Sequence, residues 1–182
     1  MTNIYYLTGF MAAGKSRIGQ ALSELLGVSF ADLDDVIEEQ TGLTIPTIFE
    51  QKGEQAFRAF ERQYLLRLAQ SYQGVLSLGG GALHDQSIVD AIKRSGILIF
   101  INTPLNVILE RLYEDMERPL LRDGSGNLKP KEQIKTELTS LYKDRLPLYK
   151  QADLHFTPKV GASIAYNGQR LFKQIKNYEH KP

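Results

Sequence analysis

A chain of 182 residues, 42% hydrophobic and 24% charged, is long enough for one compact domain with a full core and short for two, and its composition excludes a largely disordered polypeptide. A formal net charge of +1 speaks against a broad electrostatic grip on nucleic acid, and the lack of any cysteine excludes disulfide scaffolds, thiolate metal sites and cysteine nucleophiles. The histidines, His84, His155 and His180, have no helical ligand spacing for zinc, and no segment reaches the roughly 20 apolar residues of a membrane span, so a cytoplasmic protein is expected.

The first predicted element is a strand from Ile4 to Thr8, an apolar run that leads into GFMAAGKS, Gly9 to Ser16. Gly-x4-Gly-Lys-Ser between a strand and a helix has the spacing of a phosphate-binding loop. Its glycines let the backbone curl so that N–H groups face inward, and the helix beginning near Lys15 adds the positive end of its dipole. Lys15 is expected to bridge the β- and γ-phosphates and Ser16 to offer its hydroxyl to Mg²⁺. The helix that follows carries Ile18, Ala21, Leu22, Leu25 and Leu26 at helical spacing, and Gly27 is placed to end it.

Val28 to Ala31 reads as a strand running into Asp32-Leu33-Asp34. Side chains alternate along an extended segment, so Asp32 and Asp34 are expected to point the same way at the carboxyl edge of a sheet. Asp32 then suits the magnesium shell, and Asp34 suits acceptance of a proton from an attacking hydroxyl. The alternative is that both cap a helix near Val36 to Gln40.

From about Gln55 to Ala69, Phe57, Phe60, Tyr64 and Leu68 share one helical face, expected to pack, while Arg58, Glu61 and Arg62 lie on another, expected to stay free for binding. Val75 to Leu78 is a strand that ends in Gly79-Gly80-Gly81, whose bare N–H groups a polar ligand can approach closely. Further strands are predicted at Ile97 to Ile101 and Ala152 to Phe156. Between them, Asp115 to Lys131 contains ERPLLRDGSGNLKPK, a stretch rich in Gly, Pro and charge that reads as a functional lid. Asp123-Gly124-Ser125-Gly126 fits a GTPase switch by letter, but no apolar strand precedes it and the Asn-Lys-x-Asp guanine motif is absent. Arg58, Arg118 and Arg145 come from separate segments and offer forks suited to carboxylate or phosphate. Strands alternating with helices predict an α/β fold, a parallel sheet with helices on both sides.

The combination GFMAAGKS, FADLDDVIE, IFEQKGEQAFRAFE, LGGGAL, ERPLL and DRLPLY, in this order within residues 4 to 158, resembles the shikimate kinase family, whose fold is P-loop and nucleoside-monophosphate-kinase-like. The resemblance implies a three-layer fold with a central five-stranded parallel sheet flanked by helices. It implies a single domain over residues 1–182, with a substrate-binding part at about 33–62 and a lid at about 115–130. The implied activity is transfer of the ATP γ-phosphate to the 3-hydroxyl of shikimate in aromatic amino-acid (chorismate) biosynthesis, with Mg²⁺, by a monomer without nucleic-acid or membrane partners. Asp34, Arg58, Gly80 and Arg145 would bind shikimate, Gly79 and Gly81 would shape that wall, and Arg118 would swing in with the lid to meet the transferring phosphoryl group. Lys15, Asp34 and Arg118 form the implied catalytic set, and Ser16 and Asp32 the metal set.

The nucleotide would meet Gly9, Ala12, Ala13 and Gly14 with Lys15, Ser16 and Arg17 after them, while Arg111 lies along the adenine and Pro158 and Arg118 complete the contacts. Competing readings are a kinase of the same fold for another sugar acid such as gluconate, and a non-catalytic nucleotide-binding regulatory module. Three stretches depart from the family pattern. Ala12 replaces a further glycine, which is tolerable only if the backbone there needs no positive φ. Ser77-Leu78 replaces Ala-Thr, and Tyr149-Lys150-Gln151 stands where an arginine and an acid are commoner; none of these is expected to have a direct side-chain role. The C-terminal helix near Ala165 to Lys176 is expected only to pack.

Overall fold

The computed structural model describes residues 4–114, 121–124 and 126–180. Strands β1 (Ile4–Thr8), β2 (Phe30–Asp32), β3 (Gly74–Ser77), β4 (Gly96–Ile101) and β5 (Leu154–Phe156) form one parallel sheet in the order β2-β3-β1-β4-β5. Tyr5 of β1 lies opposite Val75 of β3 and Ile97 of β4. Every residue of β1 is buried, which is why this strand reads as a continuous apolar run and not as an alternation.

The helices are α1 (Lys15–Leu26), α2 (Leu33–Thr41), α3 (Ile45–Ser71), α4 (Gln86–Ser95), α5 (Leu105–Glu114), α6 (Lys131–Tyr149) and α7 (Ile164–Glu179). The chain leaves β1 toward β2 on one side, and β3 toward β4 on the other, so right-handed crossovers put α1 and α4 on opposite faces. In keeping with this, α1 packs on α7 and α3 packs on α4. The expected three layers result. Because β1 lies between β3 and β4, where the crossovers diverge, the carboxyl edge at β1 is the natural crevice for a ligand.

Two helical faces differ from the sequence reading. Gly27 does end α1 in the left-handed region (φ 66), but the buried stripe of the helix is Ile18, Gly19, Leu22 and Ser23, and Leu25 is exposed. Its Cδ1 lies 3.7 Å from where a Cβ on Gly168 of α7 would stand. In α3, which bends at Gly53 (φ 80), the stripe is Phe57, Glu61 and Leu65, while Phe60, Tyr64 and Leu68 are half-buried. Glu61 was expected on the free face and is 1% exposed. Among the described residues, no helix is long and apolar enough to cross a membrane.

Candidate active site

The chain leaves β1 through Gly9 (φ 142), where an added Cβ would lie 2.7 Å from the Ile101 carbonyl oxygen. Gly9, expected among the nucleotide contacts, is therefore buried beneath the loop, where it permits the close approach to β4. Above it, the Ala13 N–H donates to the Phe10 carbonyl at 3.2 Å, Thr103 Oγ1 donates to the Ala13 carbonyl at 2.8 Å, and Arg111 Nη1 donates to the Ala12 carbonyl at 2.8 Å. Lys15, nearly buried, folds back so that Nζ donates to the Phe10 carbonyl at 3.0 Å. Ala12 to Arg17 line a cleft of about 460 Å³, which also takes in Asp32, Asp34, Gly79, Gly80, Arg111 and Pro158.

Alone among the described non-glycine residues, Ala12 has a positive φ, 56°. The condition under which a methyl group costs nothing there is not met, and Arg111 and Thr103 hold the loop in place regardless. Left-handed backbone at an L-residue costs about 1–2 kcal/mol, so Ala12→Gly is expected to raise Tm by about 2–8 °C. Thermal unfolding of both proteins checks this, and an unchanged Tm would mean that the loop sheds the strain elsewhere.

The carboxylates are placed differently from the extended pair read in the sequence. Helix α2 already begins at Leu33, so Asp34 sits in its first turn. Asp32 is the N-cap: Oδ1 accepts from the Asp34 N–H at 3.1 Å, while Oδ2 accepts from the Ser16 hydroxyl at 2.6 Å. Capping and cleft duty are thus both performed by Asp32, one oxygen each. Ser77, whose side chain carried no expected role, brings its Oγ within 3.4 Å of Ser16 Oγ. These are hard oxygen donors, as Mg²⁺ requires. Among the described residues no group of three or more His, Cys, Asp or Glu could hold a metal ion.

Asp34 Oδ1 is shielded from solvent and has no hydrogen-bond partner. Burial, reinforced by the negative charges of Asp32 and Glu61 and opposed by Lys15, pushes its pKa up to about 6. Glu61 Oε1 is likewise unpartnered. A Cβ on Gly79 would stand 2.6 Å from Glu61 Oε1 and 3.2 Å from Asp34 Oδ1, so only glycine lets both carboxylates close on the Gly79–Gly81 segment.

Arg58 Nη1 donates to Glu61 Oε2 at 2.7 Å and Nη2 to Glu54 Oε1 at 3.3 Å, with the guanidinium laid against Gly81. Arg145, from α6, donates through Nη1 to the Gly80 carbonyl at 3.0 Å. Both arginines flank the glycine segment and do not line the phosphate cleft itself. Glu61 was the residue the reading missed, although its spacing of four from both Phe57 and Leu65 marked it as part of a buried stripe. Asn167 was also missed, and nothing in the sequence marked it. It pins the loop after Pro158 by accepting from the Lys159 N–H at 2.8 Å and donating to the Lys159 carbonyl at 3.2 Å.

Arg17 is exposed in the first turn of α1, at the cleft rim. Arg118 lies outside the described residues, as does Ser125. The described part of the expected lid closes on itself through a bridge between Arg122 and Leu128, with Asp123 Oδ1 accepting from the Asn127 N–H at 2.9 Å. A turn therefore explains the Asp-x-x-Gly letters.

Comparison with known proteins gives one answer. A family model described as shikimate kinase matches residues 11–176. The shikimate kinase of Chlorobaculum parvum is 33% identical over 180 residues, covering 97% of this chain and 96% of that one. That of Persephonella marina is 40% identical over 157 residues, covering 86% of this chain and 89% of that one. A solved structure of shikimate kinase from Acinetobacter baumannii in complex with shikimate superposes with a TM-score of 0.87 at 35% identity, covering 100% of this chain and 97% of the other. With sequence and fold in agreement over nearly the whole length, the chain belongs to the shikimate kinase family of ATP-dependent phosphotransferases.

Proposed function

We propose that this chain transfers the γ-phosphoryl group of ATP to the 3-hydroxyl of shikimate, giving shikimate 3-phosphate and ADP. The observation that carries the reading is the convergence, on one sheet edge, of Lys15, the unpartnered Asp34 Oδ1 and the Gly79–Gly81 segment flanked by Arg58 and Arg145. A phosphate loop there adjoins a surface suited to a carboxylate-bearing polyol, with guanidinium forks for the carboxylate and an acceptor oxygen for hydroxyls. The shikimate bound by the A. baumannii relative supports this choice of acceptor.

In this mechanism Arg58 and Arg145 grip the acceptor carboxylate and turn the ring so that one hydroxyl meets Asp34. Asp34, mostly ionised above its pKa of about 6, accepts the hydroxyl proton as the new O–P bond forms. Lys15 neutralises charge on the β- and γ-phosphates, and the loop N–H groups cradle them. Ser16 and Asp32 would hold Mg²⁺, which would supply neutralisation of phosphate charge. The family resemblance implies that Arg118 would meet the transferring phosphoryl group.

ADP release measured with Mg-ATP and shikimate, gluconate, AMP or no acceptor tests the assignment. Turnover with shikimate is expected to exceed each of the others by at least ~100-fold, since a site built around an acceptor's polar groups rejects molecules lacking them. Preference for gluconate would keep the phosphate chemistry and remove the acceptor, and equal weak hydrolysis with all four would point to a regulatory module.

A further inference from the structure

Resting on that reading, we propose that Tyr149 is a positioning residue for the acceptor: its hydroxyl fixes the Gly80 carbonyl, and through it the glycine wall and the Arg145 guanidinium. Tyr149 is the last residue of α6 and is 1% exposed, with its ring against Phe100 at a centroid distance of 5.3 Å. The hydroxyl donates to the Gly80 carbonyl, which Arg145 Nη1 also engages at 3.0 Å. Burial pushes the phenol up to about 12, so it stays a donor at every working pH.

The consequence follows from elementary backbone geometry. A carbonyl oxygen has two lone pairs, and two donors fill them. Across a trans peptide the next N–H points the opposite way, so anchoring the Gly80 carbonyl also sets the direction of the Gly81 N–H. Consecutive glycines explore more backbone space than any other residues, and this wall cannot be held by its own side chains. Gly80 is moreover a junction. A Cβ there would lie 3.1 Å from the Met11 N of the phosphate loop, and Gly81 lies against the Arg58 guanidinium. One oxygen, held by Tyr149, thus sets the spacing between the phosphate loop and the pair of arginines that face the acceptor.

Tyr149→Phe keeps the ring and its packing on Phe100 and removes only the donor. Its KM for shikimate is expected to rise about tenfold, with kcat and the KM for Mg-ATP changed by less than about twofold, as for loss of one buried hydrogen bond felt on the acceptor side. Calorimetric titration with shikimate should show the same loss. Tyr6→Phe is the control: Tyr6 is fully buried and its hydroxyl pairs with Ser95 at 2.7 Å, away from the glycine wall, so Tm alone should move. An unmoved shikimate KM in Tyr149→Phe, a parallel rise in both KM values, or a variant that does not fold assigns the hydroxyl to stability and overturns the inference. If the unaltered protein does not phosphorylate shikimate, the acceptor assignment itself fails and takes this inference with it.

Discussion

Asp34→Asn is expected to lower kcat/KM for shikimate by about a thousandfold and, at neutral pH, to raise Tm by several degrees. The first effect is the loss of the group proposed to take the hydroxyl proton, a contribution of typically about 10²–10⁴. The second has the opposite sign because the site is built against this charge. Burial, Asp32 and Glu61 raise the carboxyl from its ordinary 3.8 to about 6 in the folded protein. A carboxyl raised on folding contributes stability that is fully present below its unfolded value and lost as pH climbs through its folded one.

Across the window from 3.8 to about 6 that loss amounts to about 3 kcal/mol at most, and a neutral amide of the same shape escapes it. In a domain of this size about 2 kcal/mol recovered corresponds to roughly 4–8 °C. Thermal unfolding of both proteins from about pH 3.5 to 8 should therefore give curves that coincide at the acid end, diverge between 3.8 and about 6 and keep a constant separation above that. In the unaltered protein, kcat/KM for shikimate should rise with pH through the same region and level off. A stabilisation that is equal at all pH values, or activity within tenfold of the original, would remove Asp34 from the base role.

Which of these features the sequence could reveal depends on how local their causes are. The strand β1 was legible because a run buried on both faces is apolar throughout. Lys15 and Ser16 were legible because loop, strand and helix adjoin in the chain. Asp32 and Asp34 reach the same cleft as expected, but through a helix N-terminus instead of an extended pair, since an N-cap aspartate starts α2 earlier than the apolar pattern suggests. Glu61 was read as solvated because a charge in a helix usually is, and only its contact with Arg58 beneath the glycine segment explains its burial. Tyr149 meets Gly80 across 69 residues of chain, and no local spacing encodes that pairing. At Ala12 the residue type argued against the backbone conformation that the loop imposes.

Lys15→Ala is expected to cost about 3 kcal/mol or more in kcat/KM, by analogy with removing one preorganised donor from a developing charge. The geometry adds a signature to that loss. Lys15 is held on the Phe10 carbonyl at 3.0 Å, and its charge lowers the Asp34 pKa against burial and the neighbouring carboxylates of Asp32, Glu61 and Asp35. Without it the Asp34 carboxyl should titrate above about 6, so the rising limb of kcat/KM against pH should move to higher pH. Part of the deficit measured near neutrality is then a protonated base, recoverable at about pH 8.5, while the part due to phosphate contact persists on the plateau. The two contributions separate in one pH profile. If the plateau of Lys15→Ala stayed above about a tenth of the original, Lys15 would be left with tuning Asp34 alone, and the phosphate role would fall. If the plateau dropped and the limb did not move, the coupling between Lys15 and Asp34 would be absent, and the two groups would act on opposite sides of the transferred phosphoryl group without sensing each other's charge.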